Sequence, residues 1–144
     1  PRLERLGPDA LEATAAALRG ALARRRAPIK ALLLDQSLLA GVGNIYADEA
    51  LFAAGLRPLR PGGALSPRAV ATLLAALQRI LYASIARGGT SISDFVAPDG
   101  SDGAYVNELG VYGREGLPCT ACGATIRRIV IAGRSSHYCP RCQR

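Results

Sequence analysis

All four cysteines of this 144-residue chain lie in its last 26 residues, as two Cys-x-x-Cys pairs, Cys119/Cys122 and Cys139/Cys142, with sixteen residues between them. Each pair offers two thiolates from one tight knuckle, and sixteen residues suffice for a hairpin that folds the knuckles onto a common centre. The expected ligand is one Zn²⁺ held tetrahedrally by four sulfurs. A shell closed in this way leaves no position for water, so the metal would be structural rather than catalytic. A redox pair would instead call for a single Cys-x-x-Cys in a strand-helix context, and disulfides suit an oxidising compartment. His137 is expected on a strand surface, because the thiolates already complete the shell.

Between the knuckles, residues 125–131 form a β-branched run with basic residues mixed in, 132–135 read as a turn, and 136–139 return, which predicts a hairpin. Everything upstream has a helical period. Leu11, Ala15, Leu18 and Leu22 recur at helical spacing from a start near Pro8 and Asp9, with Arg24, Arg25 and Arg26 expected in the last turn and Pro28 as the stop. The apolar runs 29–34 and 45–54 are expected as two helices around the turn Gly41, Val42, Gly43, Asn44, with Gly55 as a C-terminal cap. Ser66 and Pro67 open the longest helix, whose stripe is Val70, Leu73, Leu74, Leu77, Ile80, Leu81 and Ile85, and Gly88 and Gly89 end it. Residues 88–113 contain six glycines and one proline and read as a long loop, of a kind that is either functional or disordered. The fold class is therefore mainly α with a small β-hairpin zinc finger. Its expected parts are a linker at 1–7, a helical domain at 8–88, a glycine-rich loop at 89–113 and the finger at 114–144.

The formal charge is +7 and the pI about 9.8. Clustered arginines release counterions when they neutralise phosphates, so nucleic acid is the first candidate partner. Arg114, Arg127, Arg128, Arg134, Arg141 and Arg144 face a single acid, Glu115, in the last stretch of chain. Four thiolates and Zn²⁺ together would lower the net charge to about +5, which keeps its sign. An arginine-rich composition serving solubility alone remains open at this point. No run approaches the roughly 18 uncharged apolar residues that cross a bilayer, and no basic start leads into an apolar signal core. The expectation is a soluble cytoplasmic monomer, associated with the nucleoid and with no membrane partner.

The turn before the 45–54 run could bind an anion. Glycines at 41 and 43 leave the backbone open, so two or three N–H groups at a helix start can converge on one phosphate, and Asn44 adds a side-chain amide. The same pattern also serves as a plain connection between helices.

The stretch LLLDQSLLAGVGNIYADEALFAAG (32–55) resembles the helix-two-turn-helix of formamidopyrimidine-DNA glycosylases, while VYGREGLPCTACG (111–123) and HYCPRCQ (137–143) resemble their terminal zinc finger. The resemblance spans essentially the whole chain, and the opening PRLERLGPDAL is similar to the linker that leaves the family's N-terminal domain. It implies a helix-two-turn-helix bundle followed by a four-cysteine zinc ribbon, acting on damaged double-stranded DNA. Gly43 and Asn44 would bind a phosphate beside the lesion. Arg134, five residues before the third cysteine, would insert at the damaged nucleotide and take part in the second elimination step. Lys30 matches a family lysine near the damaged-base region, Arg26 and Tyr112 match backbone-contacting positions, and the segment from Thr90 to Tyr105 is similar to one that closes over an extruded base.

One departure stands at the front. Family members begin with a nucleophilic proline followed by an acidic motif, whereas Pro1 here is followed by Arg2, Leu3 and Glu4. Pro1 therefore aligns with the linker, and the nucleophile is expected in a further N-terminal domain, without which this chain would bind but not excise. The expected parent activity is a bifunctional glycosylase/AP lyase for oxidised purines. Two alternatives are an endonuclease VIII type enzyme for oxidised pyrimidines and a non-catalytic zinc-ribbon module for RNA.

Overall fold

The computed structural model describes residues 6–86 and 109–144. Helix α1 (Ala15–Leu22) starts where Thr14, in extended conformation, accepts the Ala17 N–H on its hydroxyl at 3.1 Å. A side-chain acceptor at that position satisfies one of the first-turn donors. The start is thus at Ala15 and not near Pro8 and Asp9. The Asp9 carboxylate is engaged locally by Leu11 N–H at 2.9 Å, and residues 8–10 run beside the α2–α3 connection, with Ala40 N–H donating to Pro8 O and Ala10 N–H to Ala40 O. At its other end α1 stops at Leu22, because Arg24 adopts φ 63° and Arg25 N–H closes onto Leu22 O at 3.0 Å. The arginine triplet therefore lies beyond the helix, and only Arg19 occupies its last turn.

Helices α2 (Ile29–Leu34) and α3 (Asn44–Ala54) flank the glycine turn as expected. Gly41 at φ 94° reverses the chain in a conformation that side chains rarely adopt, and the Gln36 side chain holds it by accepting Gly41 N–H at 2.9 Å. Gly55 at φ 74° caps α3 by donating to Leu51 and Phe52 carbonyls. A 3-10 turn at Gly62–Ala64 leads into α4 (Pro67–Ala86), which is opened by Ser66 accepting Ala69 N–H at 3.0 Å. Val70, Leu73, Leu74, Leu77 and Leu81 are buried along one face of α4, but Ile85, expected to extend that stripe, is exposed. Among the described residues α4 is the one helix long and apolar enough to cross a membrane. Its apolar face packs on α1 and α3, however, as the core helix of a bundle would. The expected stop at Gly88 and Gly89, and most of the expected long loop, lie outside the described residues.

Two apolar clusters result. The larger joins Leu18 and Leu22 of α1, Ile29 and Leu33 of α2, Ala47, Ala50 and Leu51 of α3 and the α4 stripe. At about 1.5–3 kcal/mol per fully buried large aliphatic side chain, this cluster holds the helices together. The smaller contains Val111, Cys119, Ile126 and Cys139, with Phe52 of α3 packed against it. Strands β1 (Arg127–Ile131) and β2 (Arg134–Tyr138) pair antiparallel, with Ile131 opposite Arg134 and Arg127 opposite Tyr138. The turn between them is Ala132 and Gly133, both with positive φ (50° and 76°), the primed geometry that matches strand twist. Arg134 thus opens β2 directly after a two-residue turn, shorter than the expected turn across 132–135.

Candidate metal centre and nucleic-acid interface

The four cysteine sulfurs lie within 4.8 Å of one another, with Cys119 and Cys142 Sγ at 3.8 Å and Cys122 and Cys139 Sγ at 3.4 Å. A tetrahedral zinc with Zn–S bonds of about 2.3 Å sets its sulfurs roughly 3.8 Å apart, so the cluster has the right size. Each knuckle also turns a backbone donor toward its first sulfur, Ala121 N–H onto Cys119 and Cys142 N–H onto Cys139. These residues fit one structural Zn²⁺ and leave it no open position.

The finger is bolted to the end of α3. Gln143, fully buried, accepts Cys139 N–H at 2.7 Å and donates to Leu56 O at 2.8 Å. Arg57 donates to Gln143 O and Pro140 O and lies over the Tyr138 ring, while Arg144 N–H bonds Gly55 O. The metal-binding knuckle therefore takes its position from the C-cap of α3, and strand β2 is laid across that helix.

Where β2 crosses α3, five side chains converge. Lys30 from α2, at 0% exposure, donates to Asp48 Oδ1 at 2.6 Å, Ser136 Oγ at 2.8 Å and Ser135 O at 3.1 Å. Asp48, 1% exposed, uses its other oxygen to accept both the backbone N–H of His137 at 3.0 Å and the ring Nδ1 at 2.9 Å. Asn44 Nδ2 donates to the same Ser135 carbonyl at 3.0 Å, and its Oδ1 is buried with no hydrogen-bond partner among the described residues. Burial pulls the Lys30 ammonium below the ordinary lysine range, and the charge and hydrogen bond of Asp48 oppose that shift. His137 is a buried linker between Asp48 and the Tyr112 ring, which meets it edge-on at 4.9 Å. That corrects its expected place on a strand surface, which failed because β2 is covered by α3.

One residue along from Asp48, Glu49 accepts three consecutive backbone N–H groups, from Gly110, Val111 and Tyr112, at 2.7, 2.9 and 2.8 Å. Burial raises its pKa, and those three donors work against the rise. Residues 110–112, expected at the end of the glycine-rich loop, are thus fixed to α3.

The predicted DNA-contacting residues separate into two groups. Gly43, Asn44, Arg134 and Tyr112 are gathered around the β2–α3 crossing, with Gly43 as the N-cap of α3, bearing no side-chain cap, and Arg134 exposed beside it. Lys30 is in the same cluster but has no exposed surface. Arg26 is exposed in the α1–α2 connection, and no hydrogen bond or ion pair among the described residues joins it to the cluster. Sequence reasoning misses Asp48 and Glu49. The available signal is two adjacent acids in a helix otherwise made largely of Ala, Leu, Ile, Tyr and Phe, where a carboxylate must be buried and therefore paired.

Fold and site together define a helix-two-turn-helix domain that carries a four-cysteine finger on its second helix. The family described as "Formamidopyrimidine-DNA glycosylase H2TH domain" matches residues 6–96, and "Zinc finger found in FPG and IleRS" matches 116–144. The chain belongs to the formamidopyrimidine-DNA glycosylase family. It is 50% identical over 143 residues to the formamidopyrimidine-DNA glycosylase of a Synechococcus strain, covering 98% of this chain and 51% of that protein. It is 49% identical to that of Thermus thermophilus over 148 residues, covering 99% and 55%. Among solved structures, MutM (Fpg) from Thermus thermophilus superposes with a TM-score of 0.86 at 48% identity, over 98% of this chain and 55% of that one. Lactococcus lactis Fpg in complex with DNA containing an abasic site gives 0.87 at 38% identity, over 99% and 53%. The chain spans about half the length of the relatives it matches.

Proposed function

We propose that this chain is the DNA-gripping C-terminal part of a bacterial base-excision-repair glycosylase/AP lyase that acts on oxidised purines such as 8-oxoguanine and formamidopyrimidines. The observation that carries the reading is the hydrogen bond from Asn44 to Ser135 O at 3.0 Å, which puts an amide-rich helix start and the exposed Arg134 on one face. Backbone N–H groups at the start of α3 suit a phosphate, and a guanidinium on a hairpin next to them suits a gap left by an extruded nucleotide. That the Lactococcus relative was solved in complex with DNA containing an abasic site supports DNA as the ligand. The half of the protein beyond this chain would supply the nucleophile, and the protein would work on chromosomal DNA in the bacterial cytoplasm.

The test is titration of duplex DNA bearing an abasic site with the full-length protein. Wild-type affinity should fall steeply with salt through counterion release. Asn44→Ala and Arg134→Ala should each weaken binding about tenfold or more, the scale of a lost hydrogen bond to a charged group. The salt slope should be preserved in Asn44→Ala, because that side chain is neutral. Salt-independent binding, or wild-type affinity in both variants, would contradict the reading.

A further inference from the structure

Lys30 is the single lysine among the chain's 18 basic residues, and the other 17 are arginine. A chain that elsewhere always uses arginine has an ammonium at the one basic position, among the described residues, with no exposed surface. The local geometry gives the reason. Three acceptors, Asp48 Oδ1, Ser136 Oγ and Ser135 O, surround Nζ at 2.6, 2.8 and 3.1 Å, and a compact three-donor head can meet all three. A planar five-donor guanidinium is larger and needs a flat, forked partner. Two of the acceptors belong to the residues that immediately follow Arg134 in β2.

We infer that Lys30 is a positioning residue for Arg134, holding the start of β2 against α3 so that the arginine projects at a fixed height above the helix start, and that it does not touch DNA. This rests on the proposed DNA-binding function. Ser135 O is the hinge of the arrangement, because it accepts from Lys30 and from Asn44 at once and so ties the hairpin to the phosphate-binding turn through a single carbonyl. Asp48 completes the clamp by taking His137, two residues further along β2, by its backbone and its ring. Without the ammonium, among the described residues the Ser135 carbonyl keeps only Asn44 and Ser136 Oγ keeps only the Arg134 carbonyl at 3.3 Å, so the base of the arginine loosens while the metal site stays intact.

The experiment uses zinc-loaded full-length protein and an abasic-site duplex with 2-aminopurine opposite the gap, whose fluorescence reports insertion of the arginine. Wild type, Arg134→Ala, Lys30→Met and the Lys30→Met/Arg134→Ala double variant are compared at saturating protein. Lys30→Met could fail to fold, because it leaves the Asp48 carboxylate buried and unpaired. Lys30→Met/Asp48→Asn, which buries no ion, is therefore run beside it, with zinc content and thermal midpoint measured for each. We expect both Lys30 variants to lose the fluorescence change at least about fivefold, and the double variant with Arg134→Ala to lose no more than Arg134→Ala alone, the coupling expected of residues acting as a unit. A full signal in Lys30→Met/Asp48→Asn would overturn the assignment, as would losses in affinity that multiply in the Arg134→Ala background, which mark a separate contact. If wild type neither binds the duplex nor changes its fluorescence, the proposed function falls and takes this inference with it. Normal wild-type behaviour with an unaffected Lys30 variant sinks this inference alone.

Discussion

Stripping the metal with a strong chelator, or replacing Cys139 with alanine, should unfold the finger while leaving the helices folded. The finger's own core is Val111, Ile126 and two of the cysteines, with Phe52 borrowed from α3. Even with Ile131 and Tyr138 also buried, so few large apolar side chains at about 1.5–3 kcal/mol each cannot offset the ordering of some thirty residues at roughly 1–2 kcal/mol per residue. Zinc binding to such peptides contributes on the order of 10–16 kcal/mol, so the metal decides whether this unit is folded. The helical cluster includes none of the cysteines and keeps its packing. Amide exchange should accordingly speed up across 116–144 on chelation and stay slow in α3 and α4. DNA affinity should fall about a hundredfold, because Arg134 loses its scaffold. A finger whose exchange ignored chelation would show that the cysteines do not depend on metal.

The second large effect is expected for Asp48→Ala. The substitution removes the only carboxylate that, among the described residues, bonds the fully buried ammonium, and it also leaves His137 N–H without its acceptor. Breaking a buried pair by deleting one partner costs about 3–5 kcal/mol, because the remaining charge is uncompensated. The deficit should depend on pH. Burial already lowers the Lys30 pKa below 10.5, and Asp48 is what opposes that shift, so the folded-state pKa drops further in the variant. Between the folded pKa and the unfolded value the unfolded chain binds more protons, so stability rises with pH across that window. The stability gap to wild type, read from urea unfolding, should therefore narrow as pH is raised toward 10.5. A gap that widens in alkali would mean that Lys30 stays charged without Asp48.

Local chemistry explains which parts of this molecule are legible in the sequence. The cysteine spacing, the Ser66-Pro67 helix start and the Gly55 cap each rest on a few neighbouring residues, and all three stand in the structure. Thr14 outcompetes Pro8 and Asp9 as the start of α1 because its hydroxyl reaches Ala17, a choice between two plausible local signals. The β2–α3 crossing is different in kind. Its partners are 89 to 106 residues apart, as with Asp48 and His137 or Lys30 and Ser136, and no local pattern encodes which strand a buried lysine will meet. Periodicity puts Lys30 in an apolar run and Asp48 and Glu49 in an apolar helix. Charged groups in such places must find partners, which is a sign of a buried network even where the partners cannot be named.

The helix start at Asn44 and the hairpin at Arg134 are expected to meet the same stretch of DNA together. The direct measurement is amide chemical-shift mapping of zinc-loaded, ¹⁵N-labelled protein during titration with an abasic-site duplex. Gly43, Asn44 and Arg134 should shift together along one binding curve, and Arg26 should move less than any of them. Shifts confined to the hairpin, or saturating at a different DNA concentration from those at Asn44, would mean that the two elements do not form one surface.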